Sequence, residues 1–508
     1  MIEAPGRARE SELRAVSSAP ARGVARVGRL HSRTGPGELA SRTGRAIRRH
    51  WLFTAFVVIA VSLRVLATVA YWPGIELFAD SYDYLRLAHW VDPGTWHPSG
   101  YPLFLTVLSV TGKLGAVVVV QHLMGIAMGV LVYALALRLG ARRWLAALAA
   151  LPVLLDGYQL DIEQFVLPET LTDLFLLGGM AVLLWREKVG AWRAAVLALL
   201  LVAATLSRAE ILPILVVVAV YLLVRSGRWR GLLTYCAVGI VLMVGYGAWY
   251  ASVNGNFGYS NYTGTWLYGR VAPFATCDYP MPANLRQLCP ARPVGVRSNN
   301  SEYFADQASS PINALHLGPR NHRSALGESF AITVIEHQPL AYARAVLADT
   351  WHYFAPGRWM TSDVIAMQRW RFPPPHRDAQ KGNYHVHIAR QGFDGPIKAS
   401  PDPALMPFLR TYQWYVYTPG PLLLACLIGA VLAGLGLVRR RSGRRQARWA
   451  SLVLAISAIA VVMTPALTVG FSYRYGLPLL VLLPPAGALA ADVGLDVLAR
   501  RRSEGLSP

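Results

Sequence analysis

Lysine is almost missing from this chain: Lys113, Lys188, Lys381 and Lys398 are the only four among 49 basic residues. Acidic residues number 28, and charged residues of both signs make up 15% of the whole. A soluble domain usually carries about 25%. Cysteine is scarce too, at four, which excludes a disulfide-dense scaffold or a cysteine-rich zinc module. The sequence holds no CxxC, no HExxH and no His/Cys cluster at metal-ligand spacing. His385 and His387 in "NYHVH" alternate as polar residues on an exposed strand would, rather than as a ligand pair. The Walker loop and the dinucleotide fingerprint are missing as well, so no nucleotide chemistry has a motif to rest on. No internal repeat is visible, which weakens an inverted-repeat transporter.

What the chain has instead is apolar runs, with 54% hydrophobic residues. The runs fall at 51–72, 114–138, 144–156, 166–185, 191–207, 209–225, 231–251, 420–438, 449–470 and 475–497. That is about ten candidate spans, most near the roughly 20 residues needed to cross a 30 Å hydrocarbon core. The third is short, which points to a tilt or to extension at its ends. The net charge of +21 invites a nucleic-acid reading, but the placement of the arginines excludes it. They gather in the N-terminal tail and in short loops: Arg142-Arg143, Arg186 to Lys188, Arg225 to Arg230, Arg439 to Arg448, and from Arg500 onward. With the N-terminus inside, every one of these loops is cytoplasmic, as the positive-inside rule requires. The acidic loops then face outward. This predicts a multi-pass plasma-membrane protein with both termini cytoplasmic.

Residues 1–50 lack an apolar block and carry about +7, the mark of a disordered basic tail. The first apolar block starts only at Trp51, too late for a signal peptide, and reads as a retained span. The expected organisation is a tail (1–50), a transmembrane core (51–251), an extracytoplasmic segment (252–419), C-terminal spans (420–498) and a short cytoplasmic tail (499–508). A 168-residue segment is too long for a plain loop, since structureless loops beyond about 15 residues are uncommon. Within it, Ser324 to Phe354 is amphipathic, with Ala331, Ile335, Ala341, Ala345 and Leu347 placed to share buried helix faces. An α-rich lid lying on the membrane follows. Cys277 and Cys289 fall here, in an oxidising compartment, where a disulfide is expected and two free thiols are the alternative. Cys236 and Cys426 lie in spans as small apolar residues.

The candidate chemistry lies in the outward loops. The first reads "ELFADSYDYLRLAHWVDPGTWHPSGYPLFLTVL". Two stretches, 81–92 and 101–112, are too short to cross and suit the interface, as do Tyr82, Tyr84, Trp90, Trp96 and Tyr101. Asp80 and Asp83 share a helix face at i, i+3, with a helix N-cap as the plainer role for Asp80. The second loop ends "LPETLTDLFLL", placing Glu169 and Asp173 at the head of a span. Charges there are costly and usually face a cavity or a partner. Arg208 and Glu210 ("TLSRAEILPIL") and Arg474 ("SYRYGLPLL") stand at outer ends of spans. Outer arginines are either headgroup anchors or ligands for a dedicated anion, of which phosphate is the natural one.

"FADSYDYLRLA" and "HPSGYPLFL", supported by "LPETL" and "SYRYGLPLL", resemble the polytopic glycosyltransferases of the GT-C fold class. The resemblance is to the broad group of the protein mannosyltransferases and the bacterial aminoarabinose transferases. It implies an all-α polytopic membrane protein that moves a sugar from a polyprenyl-phosphate carrier to an extracytoplasmic acceptor. It also implies an acidic catalytic residue in the first outer loop, where Asp80 stands. The family often has a second acid beside the first. Ser81 occupies that place here, which leaves a divalent metal open. On this resemblance Asp80 is the general base and Arg208 and Arg474 hold the carrier phosphate. Glu169 or Asp83 orients sugar or acceptor, and His97 and Tyr101 line the pocket. The partners implied are the donor lipid, the acceptor and the bilayer. Two other classes stay open: a transporter or flippase for lipid-linked sugars, and a non-catalytic protein that binds envelope glycans.

Overall fold

The computed structural model describes residues 48–75, 78–226, 229–298, 300–315, 317–357, 370–373, 392–393, 402–437 and 445–503. His385 and His387 lie outside the described residues. The chain divides into two units, 1–51 and 52–508. Of the first, only 48–51 is described, and it is largely helical.

In the second unit the regular secondary structure among the described residues is helix, apart from one isolated parallel bridge, Ile75 to Phe165. Its longer helices are α1 (Trp51–Ala70), α2 (Phe78–Trp90), α3 (Gly100–Ser109), α4 (Leu114–Leu139), α5 (Arg143–Leu155) and α6 (Gly157–Gln164). Next come α7 (Glu169–Leu184), α8 (Ala191–Ser207), α9 (Leu212–Tyr221), α10 (Trp229–Asn254), α11 (Thr263–Val271) and α12 (Arg320–His337). The last are α13 (Pro339–His352), α14 (Met406–Tyr415), α15 (Gly420–Leu435), α16 (Arg445–Thr468) and α17 (Pro478–Ser503).

Each predicted apolar run is occupied by helix, but length and hydropathy reduce the count of full spans. Among the described residues, five helices are long and apolar enough to cross a membrane, or up to seven if two bent pairs each count as one span. The short third run explains itself this way. α5 stops at Leu155, Asp156 accepts the amides of Tyr158 and Gln159 as N-cap of α6, and the pair bends by 44°. α14 and α15 form the other bent pair, at 45°. α8, with 17 residues, is among the shorter apolar helices. α9 begins with a 3₁₀ turn at Ala209–Ile211 and runs into a π-turn at Leu222–Ser226.

Burial separates rim from centre. Only 17% of the apolar window of α1 and 22% of that of α10 is buried, against 61% in α16 and 78% in the last span. Val65, Ile240 and Val241 stand more than half exposed on the rim helices. A contiguous apolar exterior of this kind needs lipid rather than water. The main core runs through the bundle. A second, smaller core gathers Tyr268, Leu288, Phe304, Ile312 and Phe330.

That second core corrects the single amphipathic run expected over Ser324–Phe354. The run breaks between Gln338 and Pro339, and the break resets the helical phase. Ala331 is buried, but beyond Pro339 it is Val346 that faces in, while Leu347 is 67% exposed. Cys277 and Cys289 are joined across this core, with Cα atoms 6.3 Å apart, and Cys236 and Cys426 are free. Closing a loop of this length is worth about 3 kcal/mol. Replacing both cysteines by serine should therefore loosen residues 265–340 by about that amount, seen as faster limited proteolysis there with the bundle unaffected.

Candidate functional site

Two of the loops between apolar runs are laced together before any functional side chain is placed. The Ile75 amide donates to Gln164 O (2.9 Å) and the Val166 amide to Ile75 O (3.0 Å). Ser81, fully buried, donates its hydroxyl to Val166 O at 3.0 Å. The residue beside Asp80 thus has a structural task that a second acid would not perform, since a carboxylate only accepts. From the other side, α3 starts against the end of α8. A Cβ on Gly100 would lie 2.5 Å from the Leu206 backbone, so glycine is what lets the "HPSGYP" loop reach the Arg208 turn.

These contacts bring five of the expected residues together. Asp80 sits in the first turn of α2 rather than at its cap. Its Oδ2 accepts from Arg474 Nη1 at 3.1 Å, and its Oδ1 lies 3.9 Å from His97 Nε2. Arg474 Nη1 is also 3.6 Å from Glu169 Oε1. Arg208 donates to the same Glu169 oxygen, and grips Glu210 with a two-pronged fork at 2.8 and 2.9 Å. Glu169 is 2% exposed.

The two arginines differ. Arg208 has its Nε, Nη1 and Nη2 all committed to carboxylates. Arg474 shares one nitrogen between two carboxylates, and its buried Nε finds no acceptor among the described residues. Tyr475 lies under both guanidiniums, 4.9 Å from Arg208 and 5.3 Å from Arg474. Trp370 covers Arg474 at 5.1 Å. Gln413 on α14 holds Trp370 by accepting from the Phe372 amide (3.0 Å) and donating to Trp370 O (2.9 Å). Trp370 and Tyr475 were missed in the sequence, and nothing but their being aromatic marked them.

Other expected residues lie elsewhere. Asp83 pairs with Arg86 one turn along α2, at 2.8 Å, instead of joining Asp80. Tyr101 is fully buried and donates to Gln121 Oε1 at 2.8 Å. It backs the wall through Tyr84, whose ring it meets edge-on at 5.2 Å. Tyr84 in turn packs against His97 at 4.9 Å, and Trp96 stacks on His97 at the same distance. Asp173 is buried, and neither of its oxygens has a hydrogen-bond partner among the described residues.

Burial opposes ionisation of Asp80, but His97 and Arg474 outweigh it and hold the carboxyl well below the usual range. This pairing therefore contributes stability above about pH 4 and loses it as the pH falls further. Burial, reinforced by the Asp80 and Glu169 charges, pushes the Tyr84 phenol well up, so it stays a proton donor. A divalent cation does not suit this donor set. The Asp80 oxygens face Arg474 and His97, Arg474 stands between Asp80 and Glu169, and no three His, Cys, Asp or Glu side chains converge on a metal position among the described residues.

No family model matches the chain, and no curated protein matches it. Among solved structures it is similar to the oligosaccharyltransferase AglB of Archaeoglobus fulgidus, in complex with an inhibitory peptide and a dolichol-phosphate. That match has 15% identity over 90% of this chain and a TM-score of 0.40. A second structure of the Archaeoglobus fulgidus enzyme, tethered to an acceptor peptide, matches at 13% identity over 91% of this chain, with a TM-score of 0.41. ArnT of Cupriavidus metallidurans, bound to undecaprenyl phosphate, matches at 15% identity over 90% of this chain and 81% of its own, with a TM-score of 0.33. The chain spans about half the length, 52%, of the oligosaccharyltransferases.

Proposed function

We propose that this protein is a membrane glycosyltransferase that moves a sugar from a polyprenyl-phosphate carrier to an acceptor hydroxyl on the non-cytoplasmic face. The observation that carries this reading is Arg474, a guanidinium 11% exposed and held by Asp80 at 3.1 Å, whose Nε has no acceptor among the described residues. Such a group is primed to take an anionic oxygen. The placement of basic loops at the opposite ends of the helices supports the face.

In the proposed reaction the donor phosphate draws Arg474 away from Asp80. The freed carboxylate then accepts the proton of the acceptor hydroxyl. The acceptor oxygen bonds to the anomeric carbon as the bond from that carbon to the phosphate oxygen breaks. The electron pair leaves with the phosphate, where Arg474 meets the growing charge. Base and leaving group lie on opposite faces of the sugar, so the configuration inverts. Arg208 is a strut in this scheme, fixing Glu169 beneath Arg474, and His97, Tyr84 and Trp370 wall the sugar.

The test is transfer by purified full-length protein in nanodiscs from a panel of radiolabelled polyprenyl-phosphate sugars. Turnover of one of them supports the reading. Sound protein that turns over none of them, yet moves such lipids across proteoliposomes, replaces it with transport.

Arg474→Gln should raise the donor KM by about tenfold to a hundredfold. It should also change the pH profile. In the wild type, kcat/KM should show no acid limb from Asp80 above about pH 4. Without Arg474, the Asp80 pKa rises and an acid limb should move up in pH. An unshifted profile together with an unchanged donor KM would remove Arg474 from the site.

A further inference from the structure

The segment between the transmembrane halves reaches Arg474 through the turn that carries it. α16 ends where the Val469 and Gly470 amides both return to Pro465 O at 2.7 Å. The chain from Leu467 to Ser472 then runs beside α13 and the residue after it, where two tyrosine hydroxyls hold it. Tyr342 donates its hydroxyl to Leu467 O at 2.9 Å. Tyr353, just past the end of α13, donates to Ser472 O at 3.2 Å. Between them the Asp349 carboxylate lies beside Gly470, its Oδ2 3.7 Å from where a Cβ on that glycine would stand.

Asp349 is itself fixed from behind. Arg270 on α11, 5% exposed, places Nη1 2.7 Å from Asp349 Oδ2. Its Nε and Nη2 find no acceptor among the described residues, which leaves Asp349 as the charge that makes its burial tolerable. His352 lies 3.7 Å from the other Asp349 oxygen and meets Phe471 edge-on at 5.2 Å. Tyr353 packs on Phe471 at 4.8 Å. Arg474 follows two residues after Ser472.

We propose that Asp349, held by Arg270, is a positioning residue for Arg474, so that the soluble segment sets how tightly the site holds the donor phosphate. The inference rests on the reading of Arg474 as the phosphate ligand. Asp349 makes no contact with Asp80 or Glu169 in this arrangement, so it acts on the placement of the guanidinium rather than on the chemical step. A misplacement of about 1 Å can cost up to about a hundredfold.

The test compares wild type with Asp349→Ala and Asp349→Asn in full-length protein in nanodiscs. Amide exchange of peptides covering 467–474 is measured alongside donor KM and kcat. Asp349→Ala should speed exchange in that stretch and raise donor KM about tenfold, with kcat within about twofold. Asp349→Asn keeps the shape of the side chain and an oxygen for Arg270 and should recover most of both effects. If Asp349→Ala does not accumulate, Tyr342→Phe removes one bond of the same clasp and should move both readings in the same direction. Unchanged exchange overturns the clasp. Faster exchange with an unchanged donor KM overturns the positioning role. A wild type that turns over no polyprenyl-phosphate sugar sinks the functional reading before any variant is compared, and the exchange result still decides whether Asp349 fixes the turn.

Discussion

Asp80→Asn is expected to lower kcat for sugar transfer by about a thousandfold, with expression and thermal stability little changed. Asparagine keeps the shape of the side chain and an oxygen for Arg474, but it cannot take a proton at neutral pH. The donor KM should stay level or fall. In the wild type the incoming phosphate competes with the Asp80 carboxylate for Arg474 Nη1, 3.1 Å away. In the variant that competitor is neutral. A fall in kcat with an equal or lower KM marks the loss of a group that acts in the chemical step and opposes binding of the ground state. A strut predicts otherwise. If Asp80 merely braced Arg474, its loss would raise donor KM and spare kcat. Radiolabelled donor turnover over a concentration series separates the two. A kcat within about tenfold of wild type would remove Asp80 as the base.

The fold was largely legible because membrane spans are written in long apolar runs, and the bilayer leaves a helix no other way to satisfy its backbone. The runs located the helices to within a few residues. They could not distinguish a full span from half of a bent pair, because a break such as that at Asp156 needs one capping residue and no loss of hydropathy. The candidate site was legible where charge stands at the edge of an apolar run, as Glu169, Arg208 and Arg474 do, and Asp80, eight residues past the first run, was marked by the first-loop motif instead. What each partner does was not legible. Asp80 and Asp83 look equivalent on a helical wheel, yet Arg86 claims one and Arg474 the other. Arg208 and Arg474 look alike too, and only the placement of Glu210 makes the first a saturated strut. Trp370 comes from a segment about 100 residues before Arg474, and no local pattern announces such a contact.

The same limit hid a fully buried ion pair in the bundle. Glu163 falls between the third and fourth apolar runs, and Arg64 inside the first. In the structure they form a fork, Nε to Oε2 and Nη2 to Oε1, both at 2.8 Å, with Glu163 fully buried and Arg64 at 3% exposure. Arg64 also donates to the Leu154 and Val153 carbonyls at 2.8 and 3.1 Å, two of the acceptors that the end of α5 leaves unused. His122 and Gln159 complete the shell of Glu163 at 2.9 and 3.1 Å. A Cβ on Gly125 would fall 2.0 Å from Glu163 Oε1, so the helix α4 makes room for the pair. Arg64→Leu should cost about 3–5 kcal/mol, because a buried carboxylate is left without its cation. The double variant Arg64→Leu/Glu163→Leu should recover part of that loss, since no charge is stranded. Recovery should be incomplete, because the α5 carbonyls and His122 still lose partners. Denaturation in mild detergent, run as a double-mutant cycle, gives these numbers. A single variant within about 1 kcal/mol of wild type would show that the pair does not hold the bundle. The damage should also reach the site. Glu163 is followed by Gln164, Phe165 and Val166, whose backbone receives Ile75 and Ser81. Loosening that stretch frees the helix that aims Asp80, so Arg64→Leu protein that still folds should lose transfer activity while Arg474 and Asp80 remain intact.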